Sequence, residues 1–251
     1  MRCLKLTVAY DGTNYVGWQR QAEGVSIQQL IEAACAPLAK LLDGAMPAVA
    51  GAGRTDAGVH ASGQVASVHV PTDLPTDTLV RALNFSLPQD IRVMSVEDAR
   101  PEFHARFDAT GKRYRYRLVR AQVRPPFDRW FVWHAPDVRD VDAMRRAAEC
   151  LVGRHDFASF QGASRDALGT HGTTRIVRRL EIREAGGEVV FDVEGNGFLR
   201  HMVRTMVGTL ADVGAGRRGP ESMADVLAAR DRGAAGQTAP ASGLTLLEVF
   251  Y

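Results

Sequence analysis

A glycine-rich stretch of the chain reads Ala50-Gly51-Ala52-Gly53-Arg54-Thr55-Asp56-Ala57-Gly58-Val59-His60-Ala61. Apolar and polar residues alternate on both sides of it, over 46–52 and 64–70, which predicts a strand–loop–strand unit. The glycines let the loop backbone adopt positive φ and approach another surface closely. The loop holds a carboxylate, Asp56, two residues from a guanidinium, Arg54, and this makes it a candidate site. The alternative is a hairpin turn with a surface ion pair, because charged loop residues are usually only solvated.

Length and composition limit the class of protein. A chain of 251 residues can form one large domain or two small ones, and 45% hydrophobic with 24% charged residues is ordinary for a soluble globule. No apolar run approaches the ~20 residues of a membrane span, and the N-terminus alternates like a strand rather than a signal peptide. We therefore expect a cytoplasmic protein without a membrane partner. The three cysteines are far apart and form no Cys-x-x-Cys motif, so we expect reduced thiols and no metal site.

The net charge of +2 is small, but the charge is unevenly distributed. Residues 1–99 carry 7 basic and 10 acidic side chains, whereas residues 100–129 carry 9 basic and 3 acidic ones. Within the second segment, Lys112–Val119 alternates as a strand with three arginines on one face. A row of side chains with the same positive charge predicts that either phosphates or a run of acidic side chains lies opposite it. The basic segment as a whole favours a polyanionic partner.

The order of predicted elements indicates a mixed α+β fold. Strand, helix, strand, strand, helix, strand in the first hundred residues is a ferredoxin-like order. Ser26 begins the first helix with a capping box, and Pro37 predicts a kink or an early end. The second helix is expected to turn Leu79, Leu83 and Phe85 inward. The second half is predicted to contain strands at 112–119, 127–134, 176–183, 188–195 and 244–250, helices at 141–151, 198–213 and 222–230, and a polar loop at 164–172.

Several blocks of the sequence resemble one known family. Gly53–His60 is similar to the signature of the tRNA pseudouridine synthase A family, and further blocks resemble the rest of the family pattern in the same order. These blocks are Tyr10–Gln21, Phe103–Phe107, Lys112–Tyr116, Asn196–Arg204 and Ser242–Leu244.

The resemblance implies a fold and an activity. The fold is the pseudouridine synthase fold, an α+β protein whose two ferredoxin-like halves, residues 1–102 and 103–251, share a mostly antiparallel sheet with a central cleft. The activity is the isomerisation of uridine to pseudouridine in the anticodon stem-loop of tRNA, at positions 38–40 of the tRNA. No metal or organic cofactor is implied. The partners implied are tRNA and a second copy of the chain, as a homodimer in which one subunit holds the tRNA body and the other modifies it.

The resemblance also assigns roles to individual residues. Asp56 is the catalytic carboxylate, either as nucleophile at the sugar or as base at C2′, and Arg204 is the cation that keeps it ionised. Tyr114 stacks on the uracil and is a candidate to take the C5 proton, and Leu244 covers the other face of the base. Arg54 fills the stack that the flipped nucleotide leaves open. By pattern alone, Tyr114 is a half-buried strand tyrosine, Arg204 a helix arginine and Leu244 a core leucine.

Two other functions remain open at the level of the sequence. The basic strand and aromatic faces would equally suit an RNA-binding protein without catalysis. An Asp-dependent nucleoside hydrolase is the second alternative, although hydrolysis normally uses two carboxylates and the loop offers only Asp56. The product distinguishes them, because hydrolysis releases free uracil and isomerisation leaves the mass of the tRNA unchanged.

Overall fold

The first strand, β1 (Arg2–Tyr10), lies inside an antiparallel sheet of the computed structural model, which describes residues 1–39, 46–162 and 172–251. It pairs with β3 (His60–Val70) on one side and with β4 (Ile91–Ala99) on the other. Its alternate side chains Leu4, Leu6 and Val8 are fully buried. The period of two in the sequence therefore reports the buried face of this strand correctly.

Two more strands complete this sheet along β3. β2 (Val49–Gly51) pairs antiparallel with the C-terminal half of β3, and β10 (Leu244–Phe250) pairs parallel with its first residues. α1 (Ile27–Cys35) connects β1 to β2, and α2 (Thr76–Ser86) connects β3 to β4. The predicted order of strand, helix, strand, strand, helix, strand is confirmed.

Both helices show how local sequence sets their ends and faces. The Ser26 hydroxyl accepts a hydrogen bond from the Gln29 backbone N–H at 3.3 Å and begins α1, which ends ahead of Pro37 in a 3₁₀ turn, so the predicted early end is confirmed. In α2, the inward orientation predicted for Phe85 is wrong, because its side chain is 93% exposed. At 3.6 residues per turn it lies about 200° around the helix from the buried Leu83.

A second set of strands follows. β5 (Gly111–Val119) and β8 (Thr174–Ala185) pair antiparallel with the two sides of β9 (Glu188–Gly195), and β7 (Gly153–Asp156) extends the sheet beyond β8. The strand predicted at 127–134 is confined to β6 (Trp133–His134), which pairs parallel with β5.

The helices of this second set are α3 (Val141–Ala148), α4 (Met202–Gly214) and α5 (Ser222–Ala229). α4 begins four residues later than predicted, because His201 has a left-handed backbone with φ 62°. Eleven of the residues in α4 are buried, so this helix is internal on most of its circumference.

The chain forms two compact units, residues 1–110 with 245–251, and residues 111–244. The predicted boundary lay at residue 103, but the segment after it is bonded to the first unit. The Ala105 N–H donates to Ser67 Oγ at 3.1 Å, the Tyr251 hydroxyl donates to the Ala105 carbonyl at 2.8 Å, and the Thr110 N–H donates to the Phe250 carbonyl at 2.8 Å. The last strand thus belongs to the first unit from residue 245 onward.

The mixed α+β class is confirmed, whereas a sheet and a cleft shared by the two halves stay a prediction. Leu41 of the predicted first helix and residues 164–171 of the predicted polar loop lie outside the described residues. Within residues 1–39, 46–162 and 172–251, no helix has both the length and the hydropathy to cross a membrane.

Candidate active site

Asp56 lies in the loop between β2 and β3, and the burial of its neighbours alternates. Thr55 is 6% exposed, Arg54 is exposed, and Asp56 is between these two states. Thr55 is therefore buried in the protein body, Arg54 is open to solvent, and Asp56 keeps part of its surface exposed. A ligand can reach this exposed part of Asp56.

The backbone of this loop is held by hydrogen bonds to its carbonyl groups. The Trp18 N–H donates to the Thr55 carbonyl at 3.1 Å, and the Val59 N–H donates to the Asp56 carbonyl at 3.1 Å. The Gln64 side-chain amide donates to the Gly53 carbonyl at 2.9 Å. Three carbonyls within four residues are thus satisfied by the protein itself, which fixes the path of the chain through Asp56.

A buried side-chain network lies behind the same loop. The Tyr10 hydroxyl is 2.8 Å from Thr55 Oγ1, and the Gln64 amide nitrogen is 3.5 Å from the Tyr10 hydroxyl oxygen. Burial raises the pKa of Tyr10 to about 12, although the hydrogen bonds with Thr55 and Gln64 act in the opposite direction. Tyr10 therefore keeps its proton at neutral pH.

Two glycines bring the block after β1 against the loop. A Cβ on Gly12 would lie 2.0 Å from the Val59 carbonyl oxygen, and a Cβ on Gly17, whose φ is +105°, would lie 2.5 Å from that of Thr55. Only glycine allows the two segments to approach this closely. The buried His60 adds a further tie, because its Nδ1 accepts a hydrogen bond from the Gly12 N–H at 3.1 Å. His60 thus helps to hold the loop in place.

In the second unit, Tyr114 is on β5 and is 8% exposed. Its ring packs edge-on against Phe198, with 5.3 Å between ring centroids and an interplanar angle of 89°. This contact fixes the orientation of the Tyr114 ring, because edge-to-face packing is a favoured arrangement of aromatic pairs.

Arg204 lies in the first turn of α4 and is half-buried. Its Nε donates to the Ala239 carbonyl at 2.8 Å, while the Ala239 N–H donates to the Arg204 carbonyl at 3.1 Å. One turn further along, a Cβ on Gly208 would lie 1.9 Å from the Gln237 carbonyl oxygen. The segment 237–240 is therefore held directly against α4, and its backbone orients the guanidinium.

Leu244 follows this segment and is 5% exposed. Ahead of it, Gly243 packs on the ring of Tyr116, where an added Cβ would lie 2.4 Å from a ring carbon. The Tyr116 hydroxyl donates to the Pro240 carbonyl at 2.8 Å. Burial raises the pKa of Tyr116, and the positive charge of Arg204 opposes that effect, so β5, α4 and the segment 239–244 meet in one cluster.

Two of the three arginines in the row on β5, Arg115 and Arg117, face acids, which is one of the two predicted alternatives. Arg115 makes two hydrogen bonds to Asp192, at 2.8 and 3.0 Å, and Arg117 makes two to Glu188, at 2.8 and 2.7 Å. Burial raises the pKa of the Asp192 carboxyl, but hydrogen bonds from Arg115 and Arg183 outweigh it, and the net pKa is lowered. These arginines are thus neutralised within the protein.

The predicted site residues divide between the two units. Arg54 and Asp56 lie in the first, and Tyr114, Arg204 and Leu244 lie in the second. Within the described ranges, no group of three or more His, Cys, Asp or Glu side chains is arranged to hold a metal ion.

Comparison with known protein families identifies the chain. A family model described as tRNA pseudouridine synthase matches residues 6–108 and 147–251, which is most of the sequence. The chain belongs to the tRNA pseudouridine synthase family. An enzyme of this family is an isomerase, so the predicted class of enzyme and the family resemblance are both confirmed.

Individual relatives in this family match over nearly their full length. The tRNA pseudouridine synthase A of Pelobacter propionicus is 48% identical, with 100% of both chains covered. That of Syntrophotalea carbinolica is 49% identical over 100% of this chain and 97% of its own length. That of Myxococcus xanthus is 48% identical over 99% of this chain and 91% of its own length.

Sequence reasoning about this family member missed the residues that support the site. Tyr10, Gln64, Phe198 and Ala239 each contact a predicted site residue or its loop, and none was singled out. A signal existed for Gln64 alone, because an amide that a strand buries between apolar neighbours needs a hydrogen-bond partner. The other partners are distant in sequence and have no local signature.

Proposed function

We propose that this chain isomerises uridine to pseudouridine in the anticodon stem-loop of tRNA, at positions 38–40 of the tRNA, with Asp56 as the catalytic carboxylate. The observation that carries the proposal is the Asp56 loop: its neighbour Thr55 is buried, its carbonyls are hydrogen-bonded, and Asp56 itself stays accessible. A carboxylate on so fixed a backbone is preorganised for chemistry rather than merely solvated.

The reaction sets what this carboxylate has to do. The bond between C1′ of the ribose and N1 of uracil breaks, the base turns, a bond forms between C1′ and C5, and the C5 proton is lost while N1 gains one. No water is consumed, so one carboxylate suffices where hydrolysis normally uses two. Asp56 acts either as a nucleophile at the sugar or as a base at C2′, and both roles need it ionised.

The remaining residues complete the proposal. Arg204 supplies the positive charge that keeps Asp56 ionised in the reacting complex. Tyr114 stacks on the uracil and takes the C5 proton, and Leu244 contacts the opposite face of the base. Arg54, which is exposed at the tip of the loop, occupies the gap in the RNA stack once the nucleotide has flipped.

The proposal includes a cellular setting and an assembly. The enzyme works in the cytoplasm on tRNA as a homodimer and needs neither a metal nor an organic cofactor. In the homodimer one subunit holds the tRNA body while the other modifies it. Sedimentation at increasing protein concentration tests the assembly, since a single species with the mass of one chain would contradict it.

The decisive experiment compares Asp56→Asn with the unchanged protein on a tRNA transcript that carries uridine at positions 38–40. We expect the unchanged protein to form pseudouridine there and Asp56→Asn to form none while still binding the tRNA. Asp73→Asn, at an exposed loop acid in the same unit, is the matched control and should convert normally.

Two outcomes would contradict the proposal. Full conversion by Asp56→Asn would remove the catalytic role of this residue. Release of free uracil, with loss of the base from the tRNA, would make the enzyme a hydrolase instead. Mass spectrometry of the tRNA detects hydrolysis, because loss of the base lowers its mass. Isomerisation leaves the mass unchanged, so conversion by Asp56→Asn is measured by chromatography of the nucleosides after digestion of the tRNA.

A further inference from the structure

The side chains of Tyr10, Thr55 and Gln64 form a small polar cluster beneath the Asp56 loop. Tyr10 ends β1, Thr55 precedes Asp56, and Gln64 lies on β3, so three separate segments meet at this point. We infer that this cluster positions the carboxylate of Asp56 for the isomerisation, with Tyr10 and Thr55 as positioning residues that do not touch the substrate. The inference rests on the proposed function, in which Asp56 is the catalytic group.

The cluster is buried to a degree that calls for an explanation. Gln64 is fully buried, and Tyr10 and Thr55 are 4% and 6% exposed. Phenylalanine at position 10 and valine at position 55 would fill nearly the same space without a buried hydroxyl, whereas Gln64 also satisfies the Gly53 carbonyl. Burying a polar side chain costs free energy unless its donors and acceptors have hydrogen-bond partners. A buried polar cluster therefore specifies one arrangement of its side chains, in addition to filling space.

Hydrogen bonds connect the three side chains of the cluster to one another and to the loop backbone. Gln64 uses an amide N–H on the Gly53 carbonyl at 2.9 Å and approaches the Tyr10 oxygen at 3.5 Å as a donor. The hydroxyl oxygens of Tyr10 and Thr55 lie 2.8 Å apart, and either group can donate to the other. Rotation of the Thr55 side chain would break this hydrogen bond between two buried hydroxyl groups.

These hydrogen bonds affect the position of Asp56 through the backbone that joins it to Thr55. The carbonyls of Thr55 and Asp56 are held by Trp18 and Val59, which fixes the backbone along its length. The hydroxyl pair adds a lateral anchor, because it ties the Thr55 side chain to the end of β1. Since Thr55 and Asp56 are adjacent in the chain, anchoring the buried Thr55 side chain restricts the backbone from which the Asp56 side chain projects.

A set of single substitutions tests this inference in steady-state assays with the tRNA transcript. Thr55→Val keeps the shape but removes the hydroxyl, Tyr10→Phe removes the partner hydroxyl, and Thr55→Ser keeps the hydroxyl. We expect roughly 10–100-fold lower kcat for the first two with KM within about twofold, and near-normal kcat for Thr55→Ser. Tyr15→Phe is the matched control, since its hydroxyl bonds Asp90 and not the loop.

The double variant Tyr10→Phe with Thr55→Val provides a second readout. If both residues act through one hydrogen bond, the double variant should lose no more kcat than the worse single variant. A purely structural role predicts instead that losses in kcat follow losses in thermal stability across the set, and that the two losses multiply. That second pattern would overturn the inference.

Asp56→Asn, measured in the same series, separates this inference from the proposed function. An active Asp56→Asn contradicts the proposed function, and with it the inference that depends on it. An inactive Asp56→Asn beside normal kcat in Tyr10→Phe and Thr55→Val overturns the inference while the proposed function stands. Thr55→Ser that is as slow as Thr55→Val would also overturn it, because the retained hydroxyl should restore the rate.

Discussion

At the scale of single residues, the hydroxyl of Tyr114 can be tested without disturbing the fold. Tyr114→Phe keeps the ring that packs edge-on against Phe198 at 5.3 Å, so folding should be preserved. If the hydroxyl takes the C5 proton, kcat should fall by about 10²-fold or more, with a smaller change in KM. Single-turnover formation of pseudouridine measures this.

An unchanged rate in Tyr114→Phe would assign the proton transfer to another group and leave Tyr114 as a stacking surface only. Tyr114→Leu separates the two functions, because it removes the ring as well as the hydroxyl. If stacking matters independently, Tyr114→Leu should bind the tRNA more weakly than Tyr114→Phe does, since aromatic contacts with bases are worth about 1–3 kcal/mol each.

Gly17 provides a second residue-scale prediction. It has φ +105°, and a Cβ there would lie 2.5 Å from the Thr55 carbonyl oxygen. Gly17→Ala should therefore lower the free energy of unfolding by about 3 kcal/mol or more, since both backbone strain and a clash are introduced. Gly216→Ala is the matched control, because φ is +71° there and the space around it is open, so about 1–2 kcal/mol of strain is expected alone. Urea unfolding measures both, and equal losses would contradict the role of the Thr55 contact.

The sequence predicted the candidate catalytic residue but not its support. The glycine-rich loop flanked by alternating strands marks Asp56 as a candidate from local features, and the resemblance to the family assigns it the catalytic role. The partners of its loop are Tyr10, 45 residues away, and Trp18, and neither pairing has a local pattern. Contacts between distant segments depend on tertiary packing, which periodicity in one segment does not report.

At the scale of elements, the strands β5 and β9 are joined by ion pairs between their side chains. The contribution of these pairs to stability can be tested by varying the pH. Asp192 on β9 accepts hydrogen bonds from Arg115 and Arg183, and its pKa is lowered in the folded protein. A lowered pKa adds stability above the unfolded value of about 3.9, and this stability is lost as the pH falls through the folded value.

Asp192→Asn should accordingly lower the free energy of unfolding by about 1–3 kcal/mol near neutral pH. The lower part of this range is expected, because Arg115 and Arg183 are 39% and 43% exposed and can turn to water. The difference from the unchanged protein should shrink below about pH 4. Urea unfolding at a series of pH values measures it, and a difference that persists unchanged at pH 3 would contradict the assignment.

The elements also show where periodicity alone fails. The strand predicted at 127–134 is present as only two residues, because aromatic content without alternation of apolar and polar residues does not specify a strand. α4 begins at Met202 and not at 198, since His201 adopts φ 62°, which the apolar pattern cannot reveal. β10 matches its predicted bounds, 244–250, and Gly243 directly precedes it.

At the scale of the whole molecule, the division of the chain into two units depends on the C-terminal strand, which belongs to the first unit. No local sequence pattern predicts this pairing. The strand at 244–250 pairs with β3 of the first unit, more than 180 residues earlier in sequence. The resemblance to a family implied two halves, but the boundary was put at residue 103 because the blocks of sequence change there. Hydrogen bonds from Ala105 and Thr110 extend the first unit to residue 110.

The final prediction concerns how the whole molecule attracts a polyanion. The basic segment 100–129 was expected to bind phosphates, yet Arg117 is paired with Glu188 and lies within 3.6 Å of Asp128. Arg124, by contrast, is exposed, and its hydrogen bond goes to the neutral carbonyl of Arg129. Only an arginine whose charge is not already compensated should release counterions when it meets a phosphate.

We therefore expect the affinity for tRNA to fall steeply with salt, and the two arginines to contribute differently to that slope. Arg124→Gln should reduce the slope of log affinity against log salt by about 1, whereas Arg117→Gln should leave it nearly unchanged. Fluorescence anisotropy of labelled tRNA between low and moderate salt measures both, with circular dichroism to confirm folding. If Arg117→Gln lowers the slope as much as Arg124→Gln, the acid pairs on β5 and β9 open when tRNA binds, and the charge of this strand is available to the substrate after all.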